Sequence, residues 1–213
     1  MTRPEPTRAD GLPASGRAWH QSRFGGLDQG LVDRRERALL LDLLGPYRGQ
    51  LERILDAPAG YGRLTELLSS LTPLRVVALD RHPARLSCVP ALPQVVRVRA
   101  DLEEMPFDQQ GFDLVVCVRH LQHVRDAEAR SRCLAHLARV AKRLLVLSYY
   151  SPGGLHGAQR QILELLKKRK RPLGFVSRNW MLRELGRLGF RPLWDRAIFP
   201  GLHAQRLLLA ERI

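Results

Sequence analysis

Apolar residues in this chain come in short runs, and the runs stop at acids, glycines or prolines. Ile54 and Leu55 form one that ends at Asp56; Arg75 to Leu79 forms another that ends at Asp80. Runs this short, bounded by turn residues, suit strands buried in a parallel sheet. Between them the loop Ala57-Pro58-Ala59-Gly60-Tyr61-Gly62 leads into leucines at helical spacing from Arg63 to Leu71. Strand, small-residue loop, helix and strand make a βαβ unit of about thirty residues. The alternation continues with a short helix within Arg81–Pro90 and a third strand over Gln94–Ala100. A fourth strand is expected over Phe112–Val118, a long helix over Ala127–Lys142 and a fifth strand over Arg143–Tyr150. Ahead of the first strand, Leu31–Leu44 places charges early and leucines late at helical spacing, and Gly45-Pro46 ends it. Late in the chain come a helical pattern over Ala158–Leu166 and a helix capped by Ser177 and stopped by Gly189. Two closing strands, Phe190–Ile198 and Gln205–Glu211, are joined as a hairpin. This order predicts an α/β fold: a doubly wound, mostly parallel seven-stranded sheet with helices on both faces.

Residues 1–27 carry Pro4, Pro6 and Pro13 with little apolar periodicity. They read as a flexible lead-in, in which Trp19 and Phe24 are candidates to fold over a ligand. Residues 28–213 read as one domain, a comfortable length for a single core.

The βαβ unit is built to hold a nucleoside. Its loop admits a ligand to the backbone, the helix N-terminus offers N–H donors, and the acid ending the second strand accepts from ribose hydroxyls. A dinucleotide fingerprint, G-x-G-x-x-G, fails: with Gly60 as the middle glycine, Pro58 and Arg63 fall where the other two belong. No G-K-S or G-K-T exists, so a phosphate-binding P-loop is excluded as well. A second signal follows the third strand: Asp101, then L-E-E-M-P-F, then Gly-Phe-Asp leading into the fourth strand. Arg119, His120 and His123 leave that strand at the carboxyl edge of the sheet, where such folds hold ligands.

The stretch D-A-P-A-G-Y-G, Asp56–Gly62, resembles the first motif of class I S-adenosylmethionine (SAM)-dependent methyltransferases, usually D-x-G-x-G-x-G, with Pro58 where glycine is usual. The segment from Asp101 to Val118 is similar to a later motif of the same group, the type 11-like methyltransferases. The resemblance implies a Rossmann-like methyltransferase fold, an enzyme, and SAM as cofactor. It implies cofactor contacts at Asp56, Ala57, Pro58, Ala59, Gly60, Tyr61, Gly62, Asp80, Arg81, Asp101, Leu102 and Val118. Asp80 would take the ribose; the other reading is an acid capping the helix at Pro83. Asp101 would meet the adenine amino group, with Leu102 flanking the ring, and it can also N-cap the turn that follows. Tyr61 lies over the cofactor or simply covers the loop. By the same resemblance Arg119, His120 and His123 stand near the transferred methyl. There a histidine would accept the acceptor's proton, or His123 would merely pack on its helix. Tyr149, Tyr150 and His156 are candidates for the acceptor pocket.

Charge changes the picture only a little. The net charge is +14, from 35 basic and 21 acidic residues, which favours anionic partners. With no appended nucleic-acid module, the acceptor is expected to be a small molecule or a lipid- or glycolipid-linked group. RNA is the alternative on charge, and a SAM-binding protein without catalysis is another. The absence of D-P-P-Y or N-P-P-Y after strand four disfavours amino-methylation of bases or glutamine. The basic cluster Lys167–Arg171 suits either a phosphate clamp or a solvated loop end. Cys88, Cys117 and Cys133, odd in number and set in apolar surroundings, read as reduced core thiols, and no metal-ligand spacing is expected. No run reaches the length of a membrane span, and the first residues lack a signal-peptide core, so a cytoplasmic address is the expectation.

Overall fold

The computed structural model describes residues 27–152 and 174–213. The expectations for Trp19, Phe24, His156, Ala158–Leu166 and Lys167–Arg171 lie outside them. The chain divides into two compact units, Met1–Pro106 and Phe107–Ile213.

In the first unit, helix α1 spans Leu27–Leu44, four residues longer at its start than the leucine spacing predicts. Asp33, Glu36, Leu40 and Leu44 recur at helical spacing and are all buried, so the first half of the inward face is acidic. Strand β1, Arg53–Asp56, pairs in parallel with β2, Arg75–Asp80. Strand β2 pairs in parallel with β3, Val95–Arg99. Everything in β2 past Arg75 is buried, as its unbroken apolar run predicts, whereas β3 is largely exposed. Helix α2 is Thr65–Ser69, shorter than the expected Arg63–Leu71. At its ends Thr65 N–H bonds Gly62 O and Leu71 N–H bonds Leu68 O. Those three-residue closures tighten the ends into turns. Helix α3 is Pro83–Leu86. Because β1, β2 and β3 are parallel neighbours, the chain leaves all three at one edge, with Asp56 and Asp80 ending the first two and Asp101 two residues past the third.

In the second unit, β4, Phe112–Cys117, pairs in parallel with β5, Ala141–Tyr150. Helix α4, Ala127–Val140, is capped by Asp126, whose carboxylate accepts from Ala129 N–H at 2.6 Å. The expected helix end at Lys142 is corrected to Val140: Ala141 already pairs with Phe112, and Lys142 belongs to β5. No loop separates helix from strand. The Arg212 guanidinium takes up the buried carbonyls there, donating to Ala141 O at 2.7 Å and to Ala138 O. Helix α5, Arg178–Arg187, begins at Ser177, whose hydroxyl accepts from Trp180 N–H at 3.2 Å, and is followed by Gly189 at φ +78°, both as expected. The closing hairpin joins β6, Phe190–Ala197, to β7, Gln205–Arg212, and β7 runs antiparallel to both β5 and β6. Pro192 sits in β6 beside a register shift, where a residue without an N–H is tolerated. The strand order is β3-β2-β1-β4-β5-β7-β6, the mostly parallel seven-stranded sheet that the sequence predicts.

Candidate functional site

The loop Ala57–Gly62 leaves β1 through a cis peptide between Ala57 and Pro58. Ala57 and Ala59 are buried, and Ala59 packs with Ala78, Leu86 and Val89. Gly60 and Gly62 take left-handed conformations, φ +57° and +78°, which side chains strain to adopt. The two glycines do different work. A Cβ on Gly62 would stand 2.7 Å from the Pro90 ring and 2.9 Å from Val89 Cα, so this glycine lets two backbones pack. A Cβ on Gly60 would meet nothing within 4 Å. Gly60 therefore presents backbone to open space.

Asp80 fixes that backbone. Its carboxylate, 2% exposed, accepts from Gly60 N–H at 3.0 Å and from His82 N–H at 2.9 Å. The alternative role, capping α3, is not what is seen: His82 is the N-cap residue, and Asp80 bonds to its N–H instead. Asp101 does cap, accepting from Glu103 N–H at 3.1 Å at the turn Leu102–Glu104, and its other oxygen stands 3.9 Å from the exposed Arg81 guanidinium. Leu102 is buried. Tyr61 is half-buried, with the Arg85 guanidinium 5.9 Å from its ring centre.

Beneath the loop lies a charge cluster that the sequence pattern did not reveal. Arg63, the residue after Gly62, donates to Asp33 at 2.7 Å and pairs with Glu36, both on α1. Burial works against the charge on Arg63, but the Glu36 and Asp33 carboxylates outweigh it and raise its pKa. Arg37 in turn donates to Arg63 O at 2.7 Å, so α1 grips the end of the loop by side chain and backbone. The usable signal was the helical spacing of Asp33, Glu36, Leu40 and Leu44, which puts two acids on an inward face. Asp56, 3% exposed, accepts from the Thr65 hydroxyl at 3.3 Å. Burial pushes its pKa up to about 7; the Arg63 charge and the Thr65 hydroxyl oppose the rise, and the Asp80 carboxylate adds to it.

In the second unit, Val118 is buried and Arg119 follows in a left-handed conformation, φ +59°, rare for a side chain of this kind. The turn is held by Arg119 N–H donating to the buried Ser148 hydroxyl at 2.7 Å, a partner the sequence gave no hint of. Strained residues of this sort gather at functional sites. His120 is half-buried at the start of a tight turn, Leu121–His123. His123 is exposed overall, and the desolvated part of its ring lowers its pKa from the ordinary histidine value. Tyr149 leaves the expected acceptor pocket: its hydroxyl bonds both Asp195 oxygens, at 3.1 and 3.0 Å, and burial with the Asp195 charge raises its pKa. Tyr150 packs against Phe175 and His203, with ring centres 6.5 and 5.8 Å away.

Comparison with known proteins agrees with this architecture. Residues 54–143 match a family model described as a methyltransferase domain. The chain is 33% identical over 152 residues to an uncharacterized methyltransferase of Mycobacterium bovis, covering 70% of this chain and 52% of that protein. It is 28% identical over 130 residues to the ubiquinone/menaquinone biosynthesis C-methyltransferase UbiE of Idiomarina loihiensis, covering 57% of this chain and 51% of that one. The chain thus spans about half the length of the curated relatives it matches. Among solved structures, magnesium protoporphyrin IX methyltransferase (ChlM) from Synechocystis PCC 6803 with bound SAM superposes with a TM-score of 0.68. That match has 19% identity and covers 94% of this chain and 92% of the other.

Proposed function

From the premise that this chain belongs to the class I SAM-dependent methyltransferases, we propose that it transfers the SAM methyl group to a small-molecule or lipid-linked acceptor. The observation that carries this is the left-handed Gly60, whose backbone opens onto free space while Asp80 holds its N–H. A ligand can lie directly on that backbone. Asp80 keeps capacity for ribose hydroxyls, since each carboxylate oxygen has a second lone pair beyond the one used by Gly60 or His82. Asp101, exposed beside the buried Leu102, is set to accept from the adenine amino group while still capping its own turn. The residues present thus fit the cofactor. The small-molecule reading is supported by the relatives' names, which describe a quinone-pathway and a porphyrin methyltransferase.

When bound, the cofactor supplies an activated methyl on a sulfonium, open to in-line displacement. The chain's part is alignment and exclusion of water, effects worth roughly 7–11 kcal/mol of barrier in well-oriented systems. His120 takes the proton from an oxygen or nitrogen acceptor, and Arg119, whose guanidinium is a planar donor, orients an anionic one.

Titration calorimetry with SAM tests the site. Gly60→Val should abolish SAM binding while circular dichroism still reports a folded chain; unchanged affinity would remove the site from this loop. His120→Ala should keep SAM affinity but lower methyl transfer about 10²-fold, the size expected of general-base removal. Full turnover in that variant would mean that alignment alone does the work.

A further inference from the structure

Three rings meet where β5 ends. Tyr150, 9% exposed, has the half-buried His203 ring edge-on at 5.8 Å and 76°, and the half-buried Phe175 ring tilted at 6.5 Å and 51°. Backbone hydrogen bonds hold them there. Val176 N–H donates to Tyr150 O at 2.7 Å and Ser151 N–H to Ala204 O at 2.9 Å, so the segments carrying Phe175 and His203 are both fastened to the exit of β5. The exit of β4 lies alongside, since Cys117 pairs with Leu147. There Gly174 N–H donates to Gln122 O at 2.8 Å, on the turn that His120 begins. Nothing larger than glycine suits that position: a Cβ on Gly174 would stand 2.9 Å from an Arg130 guanidinium nitrogen and 3.1 Å from Val124 O. Phe175 is thereby strung between the turn that carries His120 and the end of the strand that carries Tyr150.

Two polar groups accompany the rings. His203 Nδ1 accepts from Gln205 N–H at 3.1 Å, which sets the proton of the neutral imidazole on Nε2 and makes that nitrogen a donor. Gln122 is 4% exposed, and among the described residues its buried side-chain oxygen meets no hydrogen-bond donor. An amide oxygen in that state costs stability that a ligand's donor would recover.

Rings set at angles to one another make a corner that takes a flat π-system with its face to one and its edge to the next. A saturated guest of the same size makes no use of that geometry. We propose that Tyr150, Phe175 and His203 form the acceptor subsite, and that the acceptor is a flat aromatic molecule bearing hydroxyl groups, able to donate to Gln122 and to accept from His203. The inference rests on the methyltransferase reading above and narrows its acceptor.

The experiment is calorimetric titration of the full chain, first with S-adenosylhomocysteine and then, with that bound, with three probes. These are naphthol, its saturated counterpart decalol, and methoxynaphthalene, which keeps the rings but has no hydroxyl proton to donate. Naphthol should bind the wild type about fivefold more tightly than decalol, the size expected of aromatic contacts. It should bind about fivefold more tightly than methoxynaphthalene, the size expected of one hydrogen bond. Phe175→Leu should shrink the first preference, and Gln122→Met, close to glutamine in volume, should remove the second. His203→Ala should weaken naphthol about fivefold. The wild-type comparisons decide the matter where a variant does not fold. No binding of naphthol, equal binding of naphthol and decalol, or folded variants that keep both preferences overturn the inference while S-adenosylhomocysteine still binds. A chain that takes naphthol but not S-adenosylhomocysteine overturns the methyltransferase reading, and with it the acceptor role of these rings.

Discussion

Two buried carboxylates, one in each unit, have been treated in opposite ways. Asp195, its side chain 2% exposed, receives the Tyr149 hydroxyl, Arg178 Nε at 2.7 Å and Arg206 Nε at 2.8 Å. Those donors come from β5, α5 and β7, so one acid ties three elements to β6. Asp56, equally buried, receives among the described residues a single long bond, from Thr65. A carboxylate whose oxygens are fully served is part of the scaffold. One with fewer donors among its described neighbours costs the fold stability.

That contrast breaks most sharply at Asp195. Asp195→Ala strands two arginines and a buried phenol together, and should destabilise the chain by about 3 kcal/mol. In a chain of this size the melting temperature should fall by roughly 6–12 °C, measured by calorimetry. SAM affinity should not change. A loss of SAM binding without loss of stability would reverse the roles assigned to the two acids.

The smaller effect, of opposite sign, belongs to Asp56. In the folded chain its pKa is about 7 against an ordinary 3.8, so the fold holds that proton more tightly than the unfolded chain does. The cost of ionising it is absent below pH 3.8, accumulates as pH rises to 7, and is complete above that. Asparagine never ionises. Asp56→Asn should therefore stabilise the ligand-free protein at pH 8 and change nothing near pH 3.5. Denaturant unfolding at both pH values checks this, and a variant less stable than wild type at pH 8 would place Asp56 with the scaffold acids after all.

The same contrast explains what could be read from the sequence. Strands β1 and β2 were legible because their apolar runs stop at acids, and the loop because only glycine suits its backbone. Ser177 and Gly189 announced the limits of α5 through chemistry local to each. The Asp33–Glu36–Arg63 cluster was not legible, since the acids make the buried face of α1 look polar until their partner, 30 residues away in sequence for Asp33, is in place. Tyr149 was misread for a related reason. Nearly all of β5 is buried, so alternation along it does not tell which side a tyrosine faces. The three cysteines are buried, as their apolar surroundings suggest.

The junction where α4 passes into β5 without a loop carries a consequence for how the chain is made. The carbonyls of Ala138 and Ala141 are closed by Arg212, which lies 71 residues beyond Ala141 in sequence. A nascent chain that has already emitted α4 and β5 has no such closure until β7 has emerged and paired with β5. Through that interval the last turn of α4 frays into water, and the exposed edge of β5 has no partner to stop it joining another strand. The arginine that finishes the helix is thus also a late checkpoint in synthesis, one that registers whether the antiparallel end of the sheet has closed.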